Sequence, residues 1–112
     1  MAAPIYNRSL PNYRFLQSRH QAFVRHRAQC AFRGEGFELT LEDWCKFWPD
    51  EAAFARRGRS TEDLVMTRWD IEKPWSRENC CLLTRLAHFR IKNKRQYGRP
   101  YAHLYQGAIT IV

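Results

Sequence analysis

Nineteen Lys and Arg stand against eleven Asp and Glu, a formal charge of +8, and the cations gather where the acids are missing. Arg8, Arg14, Arg19, Arg25, Arg27 and Arg33 lie toward the start, and Arg85, Arg90, Lys92, Lys94, Arg95 and Arg99 toward the end. Ten of the eleven acids fall between Glu38 and Glu78, the other is Glu35, and none follows Glu78. A guanidinium fork holds two phosphate oxygens at once and keeps its charge at any ordinary pH. Two basic ends dominated by Arg therefore point to a polyanion, with nucleic acid the leading partner. The competing readings of such charge are solubility, an acidic protein or an anionic lipid.

Cysteine and histidine chemistry is less pointed. Cys30, Cys45, Cys80 and Cys81 include no C-x-x-C pair. They read as buried thiols of a reducing cytoplasm, with neither a disulfide framework nor a structural zinc expected. His20, His26, His88 and His103 are scattered, so a metal site would need distant parts of the chain. No run approaches the roughly 20 apolar residues of a membrane span. The start Met1-Ala2-Ala3-Pro4-Ile5-Tyr6 lacks a signal-peptide pattern, so a cytoplasmic protein without a membrane partner is expected.

The elements that must carry these groups follow from spacing. At 112 residues, 45% hydrophobic and 14% aromatic, residues 1–112 fit a single domain with one core. Over 12–31, Tyr13, Leu16, His20, Phe23, Val24 and Cys30 recur at helical intervals, with Arg14 and Arg25 on another face. Pro11 and Asn12 are start signals for this basic amphipathic helix, and Gly34 and Gly36 stop it. An extended piece, Phe37 to Leu39, precedes Thr40 and Asp43, a capping-box pair that opens a helix carrying Leu41, Trp44, Cys45, Phe47 and Trp48. Pro49 interrupts, Asp50 and Glu51 open another turn through Phe54, and Arg57-Gly58-Arg59 ends it. Tryptophans at this spacing pack inward more often than they stack on bases.

Leu64 to Asp70 then reads as a strand, Glu72 to Trp75 as a turn and Cys80 to Leu83 as a second strand whose adjacent cysteines face opposite ways. Thr84 caps a last helix running through Leu86, Ala87, Phe89 and Ile91 toward Lys94. Residues 96–112 form a tail whose Ile109-Thr110-Ile111-Val112 end can add an edge strand. The expected class is α+β: a long N-terminal helix and a helical segment preceding a ββα hairpin-helix unit.

Gly58-Arg59, Leu64-Val65-Met66-Thr67-Arg68-Trp69-Asp70, Trp75-Ser76-Arg77-Glu78-Asn79-Cys80 and Thr84-Arg85, in this order and spacing, resemble small phage and mobile-element proteins of the HNH endonuclease superfamily. Their usual run is G-R, L-D-R-I-D-N, G-Y-S-P-E-N-C, then A-T or T-R and a basic helix. The likeness covers 37–95, and S-x-E-N-C is its most specific piece. It implies a ββα-metal fold, in which a divalent cation on hairpin and helix grips the scissile phosphate while a strand imidazole activates water.

Matched residue by residue, Thr67 stands where that family has its Asp ligand and Arg68 where it has its base His. Neither replacement does the original chemistry: threonine is no carboxylate, and Arg cannot accept a proton near neutral pH. Asp70 matches the second Asp of the family run, and Asn79 the Asn that fixes the connecting loop. His88 lies near the expected helix ligand. The expectation is a nucleic-acid-binding protein, DNA foremost, that keeps an HNH-like fold without the usual Asp-His pair and, if of phage origin, works in host cytoplasm. Arg68, Arg85, Arg90, Lys92, Lys94, Arg95, Arg14 and Arg25 then contact phosphates. The first alternative is a metal-dependent endonuclease or nickase using Arg68, Asp70 and His88, with Mg²⁺ or Mn²⁺ on Asp70 and His88. The second is a phage protein that binds and inhibits a host enzyme.

Overall fold

The computed structural model describes residues 8–98 and 100–112; Arg99 and the first seven residues lie outside it. The order is α1 (Tyr13–Arg33), α2 (Leu41–Phe47), α3 (Glu51–Ala55), β1 (Leu64–Arg68), β2 (Cys80–Thr84), α4 (Arg85–Gln96) and a 3₁₀ turn at Ala102–Tyr105. This is the α+β arrangement read from the sequence, with two strands and a helix as its last regular unit. A ββα order of this kind is compatible with an HNH-like fold.

Local chemistry sets most boundaries. Gly34 sits at φ 72°, a conformation that suits residues without a side chain, and Glu35 donates its backbone N–H to Cys30 O at 2.9 Å, closing α1. At the other end Asn12 makes no side-chain cap, so α1 begins without the bond its sequence suggested. Thr40 and Asp43 form the full capping box of α2, each side chain 3.0 Å from the other's backbone nitrogen. Asp50 caps α3 and Thr84 caps α4 by the one-way bond alone, each accepting from the backbone N–H of an alanine three residues on.

β1 and β2 pair antiparallel, from Leu64 opposite Thr84 to Arg68 opposite Cys80. β1 ends two residues short of the expected Asp70, because Asp70 N–H turns to the Asn79 side chain. The tail reaches the other edge of β2 through one bridge, Leu82 with Ile109, so its expected edge strand is a single residue pair.

The hairpin lies between two apolar clusters. Leu64, Met66, Cys80 and Leu82 face α1 and α2, where they meet Phe23, Cys30, Trp44, Phe47 and Trp48. Cys81 and Leu83 face the other way, onto Ile91 of α4 and the tail residues Tyr101, Leu104 and Tyr105. The adjacent cysteines thus divide between the two cores, as strand alternation requires. Trp44 and Trp48 are 3% and 1% exposed and are core side chains. No helix among the described residues is long and apolar enough to cross a membrane.

Candidate nucleic-acid interface

A groove of about 1220 Å³ runs along β1, between α1 on one side and α4 on the other. All five β1 residues line it, with Arg25, His26, Gln29 and Arg33 from α1, Arg57 and Arg59 from the loop after α3, and Arg85, His88, Lys92 and Arg95 from α4. Of the described Lys, Arg, Asp and Glu side chains at this surface, eight are cations and Glu35 is the one anion.

Helical periodicity explains why α4 contributes this set. Ile91, 1% exposed, points into the core beside Leu83. Arg85, His88, Lys92 and Arg95 recur at three- and four-residue steps on the neighbouring face. Arg90 and Lys94 point elsewhere and do not line the groove. On α1 the groove takes in Arg25 and not Arg14, which shares that face three turns earlier, before the first lining residue Ala22, and whose Nε donates to Tyr13 at 3.3 Å. Of the phosphate-contacting residues expected from the sequence, the fold therefore gathers Arg25, Arg68, Arg85, Lys92 and Arg95 and separates Arg14, Arg90 and Lys94 from them.

The groove cations are of two kinds. Arg68, 9% exposed, is committed to the fold. It pairs with Glu35 at 3.1 Å, donates to Lys73 O at 3.0 Å and lies 4.8 Å over the Trp75 ring. Glu35 also accepts from Arg33 and from Trp75 Nε1, at 3.1 and 3.2 Å. Burial pushes its carboxyl up, and the Trp75 bond with Arg33 and Arg68 outweighs this, holding it below the usual carboxylate range. Arg25, Arg57, Arg59, Arg85 and Lys92 make no ion pair among the described residues. Arg57 instead stacks over Trp44, Trp48 and Phe54, and burial together with nearby Arg25 lowers its affinity for the proton.

Two imidazoles face this charge. His26 accepts from Trp44 Nε1 at 3.1 Å on Nδ1 and packs edge-on against Phe37 and Trp75. Burial, then Arg33, lowers its pKa to about 4, so at neutral pH the ring is uncharged with its proton on Nε2. His88 is likewise lowered, by burial and then by Arg95, Lys92 and Arg85.

The implied divalent cation can be tested against these donors. His88 and Thr67 line the groove, whereas Asp70 does not. The Asp70 carboxylate accepts from Glu72 N–H at 2.9 Å, which makes it a turn-forming residue of the β1–β2 connection. Among the described residues no three His, Cys, Asp or Glu side chains come together as a metal-binding group. A neutral imidazole and a hydroxyl amid eight cations do not fit a hard dication, and they do fit phosphate oxygens.

Asn79 is the hinge pin of the same connection. Its Nδ2 donates to Asp70 O and Pro74 O, both at 2.9 Å, and its Oδ1 accepts from Asp70 N–H at 3.0 Å. The groove also holds residues to which the sequence assigned no site role, Arg57 and Arg59 among its cations and Glu35 and His26 among its hydrogen-bonded groups; for the last two, local pattern could not supply one. Their partners lie 40 and 18 positions away, beyond any local pattern. Comparison with protein-family models, with curated proteins and with solved structures returned no match.

Proposed function

We infer that the protein binds nucleic acid, DNA foremost, by laying its phosphate backbone along the groove between α1 and α4. The observation that carries this reading is that Arg25, Arg57, Arg59, Arg85 and Lys92, without an ion pair among the described residues, converge on one surface where the one described carboxylate is already committed. Like charges held this close repel one another, and a polyanion relieves that repulsion while releasing its counterions. The neutral His26 adds an Nε2–H donor, and His88 an imidazole free of charge repulsion, both suited to phosphate oxygens. Sequence preference is expected to be weak, since such contacts position the backbone without reading bases.

On this reading residues 1–112 are a single domain. Residues 37–95 are an HNH-like unit of phage or mobile-element type, and the basic helix over 12–31 supplies the facing wall. Thr67 and Arg68 take the places of the family's Asp-His pair, Arg68 serving the fold and Asn79 the loop. Asp70 is a turn residue and His88 a phosphate contact.

The test is a supercoiled plasmid incubated with the protein in Mg²⁺, Mn²⁺ or EDTA and read for mobility and nicking, with Asp70→Ala and His88→Ala alongside. The expected result is a salt-sensitive shift in every condition and no nicking. Metal-dependent nicking lost in either variant would establish a nuclease with a non-standard site. Absence of both shift and nicking would remove DNA as the partner and leave RNA or a host protein to be examined.

A further inference from the structure

Two exposed aromatic side chains stand beside the groove-lining faces of α1 and α4 without lining the groove themselves. Phe32, near the end of α1, is 93% exposed, and Phe89 of α4 is 65% exposed. Phe32 follows Gln29 by three residues and Arg25 by seven, so it shares the side of α1 that borders the groove, away from the buried Phe23 and Cys30. Phe89 lies four residues after Arg85 and three before Lys92, on the side of α4 away from Ile91. Each wall thus presents a phosphate-binding cation with an exposed ring one or two turns along it. A third exposed apolar residue, Ile71, 48% exposed, lines the groove itself.

A duplex keeps its base faces stacked on one another, so it offers these rings backbone and groove edges but no open base face without the cost of unstacking a step. A single strand offers both halves of the pattern, phosphates for the groove and open base faces for the rings. Base–aromatic stacking is sequence-tolerant because every base has a π-face.

Resting on the reading of the groove as a nucleic-acid site, we propose that its ligand is single-stranded nucleic acid, with the backbone on Arg25, Arg85 and Lys92 and unpaired bases stacked on Phe32 and Phe89. Both rings are solvent-exposed, so their removal leaves the folded core intact.

The experiment is fluorescence anisotropy of the full chain with a labelled, hairpin-free 20-nucleotide strand and with the duplex of the same sequence, at matched salt. The wild-type protein is expected to bind the single strand more tightly. Phe32→Ala and Phe89→Ala should each weaken that binding, by roughly five- to a hundredfold, and leave duplex affinity unchanged. Equal or tighter duplex binding overturns the proposal while the groove reading stands, as does single-strand affinity unaltered in both variants. No salt-sensitive binding to either probe removes the groove reading as well.

Discussion

Arg68 and Arg85 border the same groove, in a chain whose formal charge is +8, and they do opposite work. Arg68 is buried, paired with Glu35, bonded to a loop carbonyl and stacked on Trp75. Arg85 is exposed and meets no carboxylate among the described residues. What separates the committed cation from the unpaired one is therefore the position of the nearest acid. The corner of Arg33, Glu35, Arg68 and Trp75 satisfies its charge within the protein, and Arg25 of α1 and Arg85 and Lys92 of α4 have no carboxylate partner among the described residues.

The contrast is broken most strongly at Arg68. Arg68→Ala leaves Glu35 half-buried with one cation fewer and uncovers Trp75, so urea unfolding should show a loss of about 3 to 4 kcal/mol. Arg85→Ala should unfold within about 0.5 kcal/mol of the wild type.

Acid should attack the structural side next. The unfolded chain protonates His26 from about pH 6.5 downward, whereas the folded protein holds this group neutral until about pH 4. Between those values the unfolded state binds more protons, so stability falls as pH falls, by about 3 kcal/mol on reaching pH 4. His26→Gln should flatten the urea midpoint against pH over that window. A smaller effect is expected at Asn79, where Ala removes the amide that ties Asp70 and Pro74 together. A loss of about 2 kcal/mol in the same unfolding measurement would fit the hydrogen bonds given up.

What the sequence made legible divides along the same line. Caps at Thr40, Asp50 and Thr84 are local signals, since each side chain bonds a backbone N–H three residues on. The inward Trp44 and Trp48 and the divided Cys80 and Cys81 followed from periods of 3.6 and 2. The loop-fixing Asn79 was visible through the resemblance. The division of the cations was not visible, because charge composition carries no address. Arg14 and Arg25 share one face of α1, three turns apart, and only the packing of β1 against the later turns of the helix decides that the groove takes in Arg25 and stops short of Arg14. Asp70 looked like a ligand by its place in a motif, and its turn with Glu72 gives its carboxylate another task.

We infer that the groove, and not net charge at large, holds nucleic acid. This is tested most directly by the salt dependence of DNA affinity for two triple variants of equal charge change, Arg25→Ala with Arg85→Ala and Lys92→Ala, against Arg14→Ala with Arg90→Ala and Lys94→Ala. The groove variant should lose affinity markedly, and the slope of log K against log salt should become shallower by about three. The off-groove variant should keep a slope within about one of the wild type. Equal losses in the two variants would contradict the account, because the protein would then be binding through diffuse charge with no site in the groove.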